Sequence, residues 1–343
     1  MAELDEIREI ERLAENLKDL ARIEVIGQSS PPRDPSDTVR FPIYKVTFGS
    51  ADPKAPVLGL IGGVHGLERI GAQVCVSLLN SLSQLVLWDR NTREVLERVR
   101  IFFVPTVNPW GILRKRRSNP RGVDLMRNAP TEAEGAITPL VGGQRWTPNL
   151  PWYRGSADGG IEDEAQALLD ACRAEISQAP VSVLVDFHSG FGVVDRIWFP
   201  YAKTREPFPD LPTVHAFKHL MERTYPHHFY RIEPQSKNYT THGDLWDYLY
   251  DEYRASAPPG VLLPLTVEMG SWNWVKKNPF QFFSTDGAYN PVRAHRLRRT
   301  LRRHNTFFEF LIRAVASPSA WADLSEEQRG KHLSQAMELW YGR

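Results

Sequence analysis

A chain of 343 residues, 42% of them hydrophobic, holds enough apolar material for one large core or two modest ones. Its net charge of +1 argues against general nucleic-acid affinity and against a polyanionic substrate selected by bulk field. The two cysteines, Cys75 and Cys172, each fall in an apolar helical pattern and predict buried thiols rather than a disulfide.

The opening residues, Met1 to Glu6, are acidic and lack the apolar core of a signal peptide, and no segment is expected to reach the ~20 apolar residues that span a bilayer. The expectation is a cytoplasmic protein with no membrane partner. Leu4, Ile7, Ile10, Leu13, Leu17 and Leu20, at spacings of three and four, predict an amphipathic helix. A polar, proline-containing stretch, Ser29 to Asp37, separates it from strands near 41–48 and 56–61, so residues 1–39 read as an N-terminal helical extension. A catalytic domain over 40–317 and a helical tail over 318–343 complete the division.

The first strand-end motif follows, Leu60-Ile-Gly-Gly-Val-His65-Gly-Leu-Glu68, with a helix expected from just after it towards Leu85. Another strand, Arg100 to Pro105, opens a polar stretch reaching about Gly160, too long to be structureless unless it is functional. It contains Asn108-Pro-Trp-Gly111 and Gly122-Val-Asp-Leu-Met126-Arg127-Asn128, with six cations between Arg114 and Arg127. Lys115, Arg116 and Arg117, as a group, read as a solvated loop or as structural cations tethering it to a carboxylate. Arg114 and Arg127 are the candidates to stabilise an oxyanion and to grip a substrate carboxylate with a bidentate fork. A helix over Ile161–Ile176 leads into the run Val181 to Phe187 and the second motif, Val185-Asp-Phe-His188-Ser-Gly. The alternation of strand and helix predicts an α/β fold, a mixed, mostly parallel central sheet with helices on both faces.

A further apolar run, Val261-Leu-Leu-Pro-Leu-Thr-Val-Glu268-Met-Gly270, ends in one carboxylate. Two imidazoles and a carboxylate form a common catalytic zinc set with a fourth position left for water. His65, Glu68 and His188 supply that set at strand ends, where open α/β sheets place their sites. Glu268 is then the base that deprotonates the water and later passes the proton to a leaving amine. The basic segment Arg293 to Arg303 offers a nucleic-acid reading, but Ala294, Leu297, Leu301, Phe308 and Leu311 form an apolar stripe along it. A docked helix with a solvated basic face is simpler, and no nucleic-acid partner is expected. Nothing in the sequence indicates an oligomeric state.

These residues resemble the zinc carboxypeptidase family in its motif order over about residues 40 to 315. The likeness lies in the His-x-x-Glu pair, Asp-x-His-Ser, Asn-Pro-x-Gly, Gly-Val-Asp-Leu-x-Arg-Asn and the late-strand Glu. It implies one Zn2+ per chain on His65, Glu68 and His188, Glu268 as base and Arg114 at the oxyanion side. It places Arg127, with Asn128 beside it, at the substrate's terminal carboxylate. The segment Tyr239-Thr-Thr-His-Gly-Asp-Leu-Trp-Asp247-Tyr-Leu-Tyr250 resembles the family's mobile tyrosine loop. Tyr239 is then a clamp, and Leu245 or Trp246 borders the specificity pocket, hinting at an apolar or aromatic preference.

The implied activity is removal of a C-terminal residue from a peptide. Met126 stands where the family normally has Asn, and a thioether is a poor partner for a carboxylate. The turn Gly-Gly-Val-His-Gly-Leu-Glu is also similar to that of zinc-dependent N-acyl amino acid deacylases of the aspartoacylase and succinylglutamate desuccinylase type. The alternative substrate is thus an N-acyl amino acid, and a catalytically inactive peptide-binding relative is a third reading.

Overall fold

The structure, a computed structural model, describes residues 3–17, 20–190 and 192–342. Helix α1 (Asp5–Asn16) leads through strands β1 (Ala21–Gln28), β2 (Pro42–Gly49) and β3 (Val57–Gly62) to helix α2 (Arg69–Trp88). A short α3 (Arg90–Leu96), β4 (Arg100–Val104) and α4 (Pro109–Arg114) precede the long polar stretch, which ends at α5 (Asp163–Ile176). Then come β5 (Val181–Gly190), β6 (Arg196–Phe199), α6 (Leu211–Thr224), β7 (Arg231–Pro234), α7 (Leu245–Ala255) and β8 (Val261–Gly270). Two short helices, α8 (Trp272–Val275) and α9 (Thr285–Tyr289), lead to α10 (Ala294–Val315) and α11 (Glu326–Ala336).

The eight strands form one sheet in the order β1-β2-β4-β3-β5-β8-β6-β7. Its centre is parallel: β4 with β3, β3 with β5 and β5 with β8. Every residue of β3 and β4, and all of β5 but Gly190, is buried. Continuous apolar runs rather than alternation are what a sheet covered on both faces demands. Antiparallel pairing appears towards the edges, in β1–β2, β2–β4 and β6–β8. The mixed α/β architecture expected from the alternation of elements is the one observed.

Helix α2 lies against β3 and β5. Gly71 permits this, because a Cβ there would strike the Phe187 carbonyl oxygen. By length and composition α2 is apolar enough to cross a membrane, a criterion the sequence reading had found unmet throughout the chain. Here it is a core helix, with Val74, Leu78, Leu79 and Leu82 fully buried. Cys75 and Cys172 are free and buried, as their helical patterns indicated.

Both ends differ from the expected division. The segment before residue 40 supplies β1, which pairs antiparallel with β2, while Ile10, Leu13 and Leu17 join the main core. The alternation of β1 is weak, since its side chains are half-buried or exposed, so periodicity did not reveal it. The C-terminal tail contributes Trp321 and Trp340 to the same core. In α10 the buried residues fall mainly from Thr300 onwards, and Ala294, placed in the apolar stripe, is exposed.

Candidate metal centre and cleft

The C-terminal ends of β3, β5 and β8 meet at one edge of the sheet. His188 on β5 is the register partner of Glu268 on β8, so both side chains leave the same face. His65 and Glu68 occupy the turn between β3 and α2. His65 Nδ1 lies 3.0 Å from Glu68 Oε1 and 3.1 Å from His188 Nδ1, and His188 Nδ1 lies 3.0 Å from Glu68 Oε2. Ligand atoms on one tetrahedral zinc, at about 2.0–2.1 Å from it, stand about 3.3 Å apart. The three residues fit a metal with only small shifts.

Two further carboxylates hold the imidazoles from behind. Asp124 Oδ1 is 2.9 Å from His65 Nε2, and Asp186 Oδ2 is 2.7 Å from His188 Nε2. A carboxylate on Nε2 keeps a proton there and leaves the Nδ1 lone pair aimed at the centre. Asp186 and His188 share a face because they are two apart on a strand. Neither Asp124 nor Asp186 was singled out from the sequence, although both lie inside the quoted motifs. A carboxylate two positions before a strand-borne ligand is the signal that could have found Asp186.

Electrostatics favour a cation at this point. Burial alone would raise the Glu68 carboxyl, but His65 and His188 outweigh it and hold it well below its usual range. Burial likewise opposes the charged form of His188, yet Asp186 and Glu68 keep its imidazolium favoured well above the ordinary range. Burial, then the Glu68 charge, pushes Glu268 up to about 8. Gly190 makes room for this carboxylate, because a Cβ there would collide with Glu268 Oε1.

The structure turns Arg114 away from the centre. It ends α4, and its Nε and Nη2 donate to Asp37 Oδ2 at 3.1 and 2.7 Å at the surface. Asn108 caps α4 by accepting from the Gly111 N–H. Lys115 then adopts φ 52°, the chain reverses, and Arg117 returns inward. Arg117 donates from Nη1 to Glu68 Oε1 at 2.9 Å and from Nε to Asp124 Oδ2 at 2.8 Å. Of the two readings of this group, solvated or tethering the loop to a carboxylate, Arg117 takes the second: Asp124 is 7 positions away and Glu68 is 49.

A cleft of about 820 Å³ opens from His65, Glu68 and His188, lined among others by Arg117, Met126, Arg127, Tyr239, Asp244 and Glu268. Arg127 is buried, with Nε donating to the Val141 carbonyl and Nη1 to the Met126 carbonyl. No bond among the described residues engages its Nη2. The Met126 backbone, not its thioether, thus holds this guanidinium. Asn128 is outside the cleft lining. Its Nδ2 donates to the Arg154 and Gly160 carbonyls and its Oδ1 accepts from the Glu162 N–H, so it ties down the long loop. Tyr239 does line the cleft, edge-on to Trp198 at 6.0 Å.

Trp246 does not face substrate space. It is buried, and its indole N–H donates to Asp186 Oδ2 at 3.1 Å, behind His188. Leu245 is fully buried as well, so neither side chain shapes specificity from a cleft wall. The helix-capping Asp244 occupies that wall instead: Oδ1 accepts from the Trp246 and Asp247 N–H groups, while the buried Oδ2 has no hydrogen-bond partner among the described residues.

Two carboxylate-backed imidazoles and a glutamate thus meet at the C-terminal edge of a mixed α/β sheet, a donor set suited to a metal ion. A family model described as zinc carboxypeptidase matches residues 7–281, and the chain belongs to that family. It is 25% identical to carboxypeptidase Z of Mus musculus over 242 residues, covering 64% of this chain and 34% of that protein. Identity to carboxypeptidase SOL1 of Arabidopsis thaliana is 31% over 95 residues, 27% of this chain and 19% of that one. The chain thus spans about a third or less of the length of these relatives. Among solved structures, thrombin activatable fibrinolysis inhibitor superposes with TM-score 0.65 at 19% identity, over 90% of this chain and 72% of that one. Carboxypeptidase A from Helicoverpa armigera gives 0.64 at 17%, over 90% and 71%. At these identities the structural likeness is one of fold.

Proposed function

We propose that this chain is a zinc-dependent carboxypeptidase, holding one catalytic zinc on His65, Glu68 and His188. The observation that carries the reading is the sharing of one cleft by these ligands, Glu268 and a buried arginine, Arg127. Zinc, when bound, acts as a Lewis acid and brings the pKa of water to about 7. Glu268 takes the proton of the attacking water and delivers it to the nitrogen of the breaking C–N bond. Arg117, anchored by Glu68 and Asp124, is the cation placed to face the developing oxyanion. Arg127 pairs with the carboxylate of the residue to be released, and Tyr239 covers it.

Arg117→Ala is expected to lower kcat/KM by about 10²–10³, the effect of losing an oxyanion donor. Arg114→Ala should stay within a few-fold of the parent. Measuring both, with metal content checked, decides between them; equal losses would return Arg114 to the mechanism.

Asp244 supports a preference for a basic terminal side chain, in place of the apolar one that Leu245 and Trp246 had suggested. A buried carboxylate oxygen lacking a partner leaves about 1–3 kcal/mol to be recovered by a cation that reaches it. Peptides ending in Lys should therefore be cleaved about ten- to a hundredfold better than those ending in Phe. Asp244→Asn should erase that ratio; an unchanged ratio would remove Asp244 from specificity.

The test of the function is a matched set: a peptide with a free C-terminus, its amide, and an N-acyl amino acid, each with and without chelator. Chelator-sensitive release of the last residue from the free acid alone is the expected result. Cleavage of the N-acyl amino acid with both peptides untouched would make the chain a deacylase.

A further inference from the structure

Three histidines with no part in the proposed reaction converge where the C-terminal tail meets the body of the protein. His215 and His219 lie four residues apart on α6, so their imidazoles leave the same side of that helix. His332 reaches across from α11, and its Nδ1 stands 2.8 Å from Nδ1 of His215. The ring centres of His215 and His332 are 5.1 Å apart, and those of His219 and His332 are 6.3 Å apart.

We propose that His215, His219 and His332 form a second metal site, for a divalent transition ion such as zinc, which fastens α11 to α6. Two imidazoles on one tetrahedral zinc set their ring centres about 5 Å apart and their ligating nitrogens about 3.3 Å apart. The His215–His332 pair already has that ring separation, and its nitrogens need to part by only about half an ångström. His219 is exposed and its ring has to turn towards the pair to complete the set; two histidines at this helical spacing are a known metal-binding arrangement.

Of the neighbouring cations, Lys218 is paired with Glu222 at 2.7 Å, and Lys331 precedes His332 on α11. Trp340, part of the core, packs edge-on against His215 at 5.8 Å. A plain N–H···N bond between His215 and His332 would account for that pair alone, and would give His219 nothing to do.

The two sites share no residue, so counting metal separates them. Metal-free protein is dialysed against low-micromolar zinc, and zinc per chain is measured by atomic spectroscopy. The parent should hold two ions. His188→Ala, His219→Ala and His332→Ala should each hold one, and the double variant His188→Ala/His332→Ala none. Zinc should raise the Tm of His188→Ala but not that of the double variant, as expected for a ligand that binds only the folded state. A parent holding one ion that His188→Ala abolishes would overturn the proposal, as would His219→Ala or His332→Ala holding two. Failure of the catalytic assignment gives a different pattern, with His188→Ala matching the parent. His219 is exposed, so its variant tests the site even where His332→Ala disturbs the docking of α11.

Discussion

Glu268→Gln is expected to lower kcat by about 10²–10⁴, the usual contribution of a general base, while metal content and KM stay close to those of the parent. The amide keeps the shape that the Gly190 gap accommodates, so packing is unchanged and only proton transfer is lost. Burial and the nearby Glu68 push the Glu268 carboxyl up to about 8, which already shows a group whose ionisation is costly in this cleft. A positive charge on the three ligands lowers that cost, so base strength and metal binding are linked. Steady-state kinetics with zinc analysis on the same preparation checks this. Turnover near the parental value would remove Glu268 from the reaction.

The second large effect belongs to the ligand set. His188→Ala removes one of three protein donors and should abolish retention of the catalytic metal. Activity should fall by about a thousandfold or more, because several kcal/mol of charge stabilisation go with the metal. Chelation of the parent should reproduce that loss, and added zinc should restore the parent alone. Asp186→Asn supplies a graded companion. It leaves the donor in place but disturbs the group that orients His188, and should weaken metal affinity by about 10- to 100-fold in competition with a chelator. Parental affinity in Asp186→Asn would make the 2.7 Å contact to His188 incidental.

The deacylase reading rested on the turn from Gly62 to Glu68 and on Met126, and the structure changes the weight of Met126. The side chain does line the cleft, but the carbonyl of the same residue anchors Arg127 through Nη1. A backbone acceptor is indifferent to side-chain identity. Replacing the family's usual Asn therefore leaves the guanidinium held in place.

Much of the site was legible without coordinates. The apolar runs ending in His65 and His188 could only be central strands, because a run buried on both faces has no other place in a sheet. Glu268 ended a third such run, and register then set it beside His188. Strand periodicity also contained Asp186, unread, two positions before its histidine. The N-terminal strand β1 was missed for the opposite reason: an edge strand with half-exposed faces carries little hydrophobic pattern.

Sequence by itself determined the candidate ligand types, their places at strand ends, the proposed base and the α/β architecture, because strand periodicity and burial are local properties that order along the chain records. Tertiary structure alone decided which arginine enters the centre, that Trp246 and Asn128 serve as internal ties, and that Asp244 reaches the cleft. Those outcomes depend on a chain reversal at Lys115 and on partners such as Asp37, Glu68, Asp186 and Glu162, each at least 34 positions away. Side chains in a loop are aimed by whichever distant groups satisfy them, and no spacing rule encodes that.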